Sequence, residues 1–317
     1  MASVPILTAA EKEHFVSQGW LKIPKAFTRQ QATEVTKDVW IRLGMSSTDK
    51  GTWNKERTHM PSLATFDCSE FAPRAWAAIC EVSGGEERVT SGSRQWRDSM
   101  IVNLGTVSGE NKPVRPQDLN GWHIDGDFFV HFLDSPEQGL LVIPLFTDIV
   151  PGGGGTVLCP EALPHIAQWL HDHPDGVSPQ MAARDGPNFS AKGNRLSLKE
   201  LAVRSNNFVE ATGECGDVYL LHPMMLHSAS TNPLRNVRII TNPPVSLRQP
   251  FCFDRSESTG SGYSLVELAT MRALGKKSLP GWKITVPRER IVPERVKVQE
   301  RMKQEELRRL GGSRPVT

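Results

Sequence analysis

The segment Gly121-Trp-His-Ile-Asp-Gly-Asp-Phe-Phe129 places one histidine and two carboxylates within five residues. His123 and Asp125 are two apart. On an extended strand successive side chains alternate faces, so both would point the same way. An imidazole and a carboxylate on one face can grip a divalent cation together, but a third ligand must come from elsewhere. The candidate is His227, in the stretch Gly216-Asp-Val-Tyr-Leu-Leu-His-Pro-Met-Met-Leu-His227. Two imidazoles and one carboxylate on one side of a metal leave open positions opposite, the arrangement of non-haem iron(II) oxygenases. Alone, His-x-Asp is a weak signal, and Gly126-Asp127 also suits a plain turn.

The next residue of interest is Arg238, eleven positions after His227 and across the turn Ser230-Thr-Asn-Pro-Leu-Arg-Asn236. That spacing puts it on a neighbouring strand, facing the same cavity. A guanidinium fork there pairs bidentately with a carboxylate. Iron(II) beside a buried arginine suits 2-oxoglutarate as cosubstrate, one end on the metal and the other on Arg238. His222, which precedes Pro223 at a strand exit, is the rival to His227 and reads as structural. His165, His171 and His173 sit on or beside one helix, and two residues apart on a helix is different faces, so they read as solvated. Gly152 to Gly155 lacks the Lys-Ser/Thr that a phosphate loop needs and reads as a tight connection.

The elements that must position these residues follow from the pattern. Thr8-Ala-Ala-Glu11 and Thr28-Arg-Gln-Gln31 are capping boxes opening two helices, the second ending near Gly44. Trp20 to Ile23 reads as a strand and Phe71 to Val82 as a helix closed by Gly84 and Gly85. Residues 45 to 66 lack periodicity and read as a loop. From about residue 95 short β-type runs dominate: 99–104, 128–133, 139–146, 156–158, 217–221 and 237–241, with one helix over 161–171. Residues 178 to 207 read as an insertion loop, and Pro293 to Leu310 as a solvated charged helix. Trp122, Phe128, Phe129 and Phe132 are expected to pack the β core.

With His123-Ile-Asp125, the distal His227 and Arg238 on the page, the chain resembles the phytanoyl-CoA dioxygenase family over roughly residues 8 to 250. The order of parts is similar too: N-terminal helices, then Gly153-Gly-Gly-Thr-Val-Leu-Cys-Pro160 after the His-x-Asp segment, then the distal histidine. The family's Pro-Gly-Ser-His turn is here Pro160-Glu-Ala-Leu-Pro164-His165, a departure from its pattern. The resemblance implies a mainly β, α+β fold: a double-stranded β-helix (a cupin-like jelly roll) with N-terminal helices packed on it. It implies one oxygenase domain over 1–275, with its β core at about 95–250 and the insertion at about 160–210. A C-terminal extension with a charged helix covers 276–317. It implies Fe(II) and 2-oxoglutarate as cofactors, with Asn120 and Thr156 contacting the 2-oxoglutarate. It also implies oxidation of a C–H bond in a small organic molecule. Since Asp125 is present where halogenating relatives carry a small residue, halogenation is not expected. A cupin-like metal-binding isomerase or binding protein is the alternative, and Arg238 argues against it.

Composition sets outer bounds. The chain has 317 residues, enough for a substantial core. Its formal net charge of +2 gives no bulk signal for nucleic-acid binding. No apolar run is long enough to span a membrane, and no secretory or Ser-Lys-Leu-type signal is read at either end. Five scattered cysteines make a disulfide framework unexpected, which suits a reducing, cytoplasmic compartment. The expected partner is a small-molecule substrate, with a homodimer left open. Candidate substrate contacts are Trp53, Arg57 and His59, on a loop (46–64) read, with the insertion, as a lid over the cavity.

Overall fold

The computed structural model describes residues 6–190, 193–255 and 262–312. The tail Arg314–Thr317, where the targeting signal was sought, lies outside them, as do residues 1–5 and the insertion's residues 191 and 192. The molecule mixes helices with several antiparallel sheets. Trp20–Ile23, Val218–Leu221, Leu140–Pro144 and Pro244–Val245 are hydrogen-bonded in that order into a four-stranded sheet. Val209–Glu210, Thr156–Cys159 and Leu226–Ala229 form a second sheet, and Arg238–Ile240, Ile101–Asn103 and Arg57–His59 a third.

The two central strands of this sheet, Val218–Leu221 and Leu140–Pro144, are buried on both faces and read as continuous apolar runs, whereas the edge strand Trp20–Ile23 alternates, with Lys22 exposed. Tyr219 and Leu221 join Leu141 and Ile143 on one face and pack against Leu158 and Met225 around the second sheet and Ile240 of the third. Val218, Leu220, Leu140 and Val142 belong to the larger cluster shared with the helices. Helix Leu265–Ala273 is the hub on that side, packed against Ala9–Gln18, Pro73–Ser83 and Leu163–Asp172. It opens on a capping box of Ser264 and Glu267.

Both expected N-terminal capping boxes form. The second helix breaks at Lys37 and Asp38 into Arg29–Thr36 and Val39–Leu43, the latter closed by Gly44 in the left-handed region. Three expectations need correction. Residues 45–66 are not an aperiodic loop: they hold a 3-10 turn at Lys50–Thr52, the strand Arg57–His59 paired with Ile101–Asn103, and the start of Thr65–Asp67. The apolar run 128–133 is not a strand; it turns, and only Phe129 and His131 form isolated bridges, to Arg290 and Val177. The insertion 178–207 is part structured, with the pair Arg184–Asp185/Asn188–Phe189 and helix Leu198–Arg204.

The C-terminal helix, Arg295–Gly312, is charged as expected but docks on the body instead of standing in solvent. Glu306 is buried and pairs with buried Arg42 at 2.8 Å; Arg42 also holds Asp98 at 2.7 Å. These contacts offset the burial of the Arg42 charge, which would be costly off water if unpaired. Among the described residues no helix is long and apolar enough to cross a membrane.

Candidate metal and cosubstrate site

The site is built by one short pairing. His123 and His227 exchange both backbone hydrogen bonds, N–H to carbonyl in each direction at 3.0 Å. His227 lies on the strand Leu226–Ala229, opposite Leu158 of the neighbouring strand, while His123 joins only through this isolated bridge. Their rings come together with centroids 4.3 Å apart. Asp125 follows in a bend, so the His-x-Asp segment is extended at the histidine and turning at the carboxylate. Gly126, at φ +115°, makes that turn possible; a Cβ there would meet the Phe129 ring at 2.6 Å and the His131 ring at 2.7 Å.

One ligand atom from each of His123, Asp125 and His227 lies within 4.8 Å of the others. Asp125 Oδ1 is 3.4 Å from His123 Nε2 and 3.8 Å from His227 Nε2. Each Nδ1 faces a carbonyl, His123 to Gly121 at 2.7 Å and His227 to Met225 at 2.9 Å. A carbonyl only accepts, so both Nδ1 atoms carry the hydrogen and both Nε2 lone pairs are left free when the rings are neutral. Asn242 Nδ2 donates to Asp125 Oδ2 at 3.3 Å, which leaves Oδ1 toward the imidazoles. The donor chemistry, two imidazole nitrogens and one carboxylate oxygen, fits an iron(II) centre with open positions.

The electrostatics express the same crowding. Burial alone would push the Asp125 carboxyl up, but the His123 hydrogen bond and the charges of both imidazoles outweigh it and hold the group well below the usual carboxylate range. Burial opposes a proton on His123 as well, yet the Asp125 hydrogen bond and charge raise it. Burial, then the neighbouring His123 charge, pushes His227 down to about 4. Of the two rings His123 is the more open, its side chain 49% exposed against 8% for His227.

Arg238 sits on the third sheet and is 1% exposed. Its Nη2 donates to Thr156 Oγ1 at 3.2 Å on the second sheet, and its Nη1 to the Ile101 carbonyl at 3.3 Å. Its buried Nε has no partner. No carboxylate is among these contacts. Burial, then the charge of Arg57, pushes the guanidinium down to about 9. A buried cation served only by neutral acceptors suits an incoming anion, since an unpaired buried charge is unfavourable.

Arg57 and Arg238 pair with the same residue, Asn103, from opposite sides, so the three side chains share a sheet face. Arg57 and His59 are exposed on that face, and the Arg57 charge acts on His123 as well as on Arg238. Although its surface is open, the protein packed around the His59 ring partly strips it of water and, with the charge of Arg295, pushes it down against the pull of Asp125 and Asp127. Trp53 lies elsewhere: its ring stacks on Trp40, takes the Lys50 and Arg235 cations, and donates its N–H to the Ser46 carbonyl. Asn120 is exposed, three residues before His123. His222 is fully buried with both ring nitrogens engaged, Nε2 with Thr270 Oγ1 at 2.9 Å and Nδ1 accepting from Met224 N–H at 3.2 Å. His171 faces Asp172 and His173 packs on Trp169. Asn242 and the two accepting carbonyls were not read from sequence; only a residue's distance from a strand end could have hinted at them.

No protein-family model matches the chain, and no curated protein matches it. Among solved structures it is similar to HygX from Streptomyces hygroscopicus, a structure with nickel and 2-oxoglutarate bound, at 13% identity and TM-score 0.42, covering 81% of this chain and 96% of that one. It is similar to the epimerase SnoN from nogalamycin biosynthesis, in complex with Fe3+, alpha ketoglutarate and nogalamycin RO, at 12% identity and TM-score 0.39, covering 90% and 96%. EctD from S. alaskensis in its apoform matches at 15% identity and TM-score 0.39, covering 81% and 84%. Likenesses this faint decide neither activity nor ligand.

Proposed function

We propose that this chain is an Fe(II)- and 2-oxoglutarate-dependent dioxygenase of the phytanoyl-CoA dioxygenase type, built on a double-stranded β-helix. The observation that carries the reading is the presence of two sites that both feel the charge of Arg57. Two imidazoles present free Nε2 atoms to Asp125 Oδ1, and a buried Arg238 reaches Thr156 with no carboxylate of its own. A cupin-like protein that only held a metal would have no use for the second site.

His123, Asp125 and His227 hold the metal, and Gly121 and Met225 fix the tautomer of each histidine through their carbonyls. Arg238 and Thr156 take the far carboxylate of 2-oxoglutarate, and Asn120 is a further contact to it. When bound, iron(II) with 2-oxoglutarate and oxygen supplies an oxidant for a C–H bond, with succinate and carbon dioxide released. The chain's own part is to hold these groups in place and to exclude water. Asp125 occupies the carboxylate position, which favours hydroxylation, desaturation or cyclisation over halogenation. Arg57 and His59 border the cavity and contact the small-molecule substrate, as does Trp53 if the loop carrying it closes.

The test is an anaerobic titration of the protein with iron(II) and 2-oxoglutarate, followed by the metal-to-ligand charge-transfer band. Succinate release is then measured against a metabolite panel. A band that needs both additions is expected; iron binding with no response to 2-oxoglutarate would leave the cupin-like alternative.

A further inference from the structure

The chain's C-terminal segment reaches the turn that follows the candidate ligand Asp125. Residues 289–291 run antiparallel to 128–130: Val130 N–H donates to the Glu289 carbonyl at 3.0 Å and Ile291 N–H to the Phe128 carbonyl at 2.8 Å. Just beyond, Arg295 lays its fork on Asp127, with Nε 2.5 Å from Oδ2 and Nη2 2.7 Å from Oδ1. Asp127 is two residues past the ligand Asp125, across the Gly126 turn. The Arg295 charge also acts on Asp125 and on His59, so the guanidinium stands beside the site. Behind it the Arg295–Gly312 helix is anchored by the buried Glu306–Arg42 pair. A cavity of about 650 Å³ opens between this segment and the insertion, with Asp127, Phe189, Arg195, Ile291 and Arg295 in its walls.

We propose that Arg295 is a positioning residue of the metal centre: its bidentate grip on Asp127 fixes the turn that aims Asp125 at His123 and His227. The proposal rests on the reading that these three residues hold a divalent ion. It gives the C-terminal segment a role inside the site. His123 joins its sheet through a single bridge, and the turn beyond it is held by His131 Nε2 on the Gly126 carbonyl at 2.9 Å, by Asn242 on Asp125 and, from the C-terminal segment, by Arg295 on Asp127.

The role is separable from simple charge, since the two effects have opposite sign. A cation beside the site repels a divalent ion, so deleting it would tighten metal binding. Loss of a clamp would weaken metal binding, and residues that orient metal ligands typically change affinity by about 10- to 100-fold. A lysine keeps the charge but loses the two-pronged geometry.

The experiment is calorimetric titration of nickel(II), a redox-inert stand-in for iron(II), into the full-length protein and its Arg295→Ala and Arg295→Lys variants. Thermal melts confirm that each is folded. Affinity should fall about 10- to 100-fold in Arg295→Ala and by less in Arg295→Lys. Unchanged or tighter nickel binding in both variants overturns the proposal. If Arg295→Ala does not fold, Arg295→Lys decides alone, because a pure field effect leaves its affinity unchanged. His227→Ala is the control on the underlying reading: if it binds nickel normally, the metal assignment fails, and this failure is distinct from that of the clamp.

Discussion

The backbones of His123 and His227 form a reciprocal pair, each N–H donating to the other's carbonyl at 3.0 Å. Residues 104 positions apart are thereby locked opposite one another in the geometry of a hydrogen-bonded antiparallel pair. The rings have little freedom left, since each Nδ1 is tied to a carbonyl two residues away. The two imidazole positions are thus fixed by the backbone, and Asp125 is the component that depends on a turn.

Replacing His227 by alanine removes one of three ligands and should abolish tight iron(II) or nickel(II) binding while the fold persists. His222→Ala should do the reverse. It leaves the Met224 N–H without a buried partner, at about 1–3 kcal/mol, and takes from Thr270 Oγ1 the bond it accepts, though Thr270 still donates to the Val266 carbonyl; metal binding should stay intact. Metal titration and thermal melts on both variants check this; loss of metal binding in His222→Ala alone would reverse the ligand assignment.

Arg238→Ala should weaken 2-oxoglutarate binding to the metal-loaded protein by about 2–5 kcal/mol, the usual cost of stripping a buried carboxylate of its charged partner. Arg238→Lys should recover only part, because a point charge replaces a fork. Thr156→Val should cost less, about 1 kcal/mol, as it removes a neutral acceptor that orients Nη2. Calorimetry of 2-oxoglutarate binding is the measurement, and an unaltered affinity in Arg238→Ala would sink the cosubstrate assignment.

How much of this was legible depended on how local the signal was. His123 and Asp125 could be read together because strand geometry fixes what a spacing of two means. Arg238 could be read because the turn before it is punctuated by Asn and Pro. The Arg57–His59 strand could not: its burial does alternate about Thr58, but Arg-Thr-His is polar throughout, so no apolar residue marks the inward face. The run 128–133 misled for the opposite reason. It is apolar enough for a strand, yet its backbone partners lie at 177 and 289–291, too remote for any local pattern to announce. The Leu265–Ala273 helix did carry a signal, Ser264 to Glu267, that went unread. Asn242 carried none, because a hydrogen bond to Asp125 across 117 residues belongs to the fold and not to the sequence neighbourhood.

Acid should destabilise the metal-free protein in a defined window. Burial pushes His131 down to about 4 and His222 down to about 3, and burial with the His123 charge pushes His227 down to about 4. Depressed histidines contribute stability that is fully present above the ordinary histidine pKa near 6.5 and is lost as pH falls toward the folded values. His123, which is raised, acts with the opposite sign: its contribution is present below the ordinary value and is lost as pH rises through its folded pKa. Four depressed histidines, His59 among them, outweigh one raised group, so melting temperature should drop steeply from about pH 6.5 toward pH 4. Melting curves across that range check it; a flat profile would show that these rings are not held neutral.

The C-terminal helix offers a test of stability away from the metal. Glu306 is buried against Arg42, which also holds Asp98 and donates to the Pro61 carbonyl at 2.5 Å. Glu306→Ala leaves Arg42 with one carboxylate instead of two in a site closed to water. The expected loss is about 1–3 kcal/mol, less than for a fully orphaned charge, because Asp98 remains. Glu306→Gln keeps the shape and an acceptor oxygen, so it should fall between. Arg42→Ala should be worse than either, since it strips Glu306 of its cation and leaves Asp98 with only the Leu63 and Ala64 N–H groups and the Ser62 hydroxyl. Denaturant unfolding of the three variants gives the order directly. If Glu306→Ala unfolds at the same midpoint as the parent chain, the helix is not held by this pair.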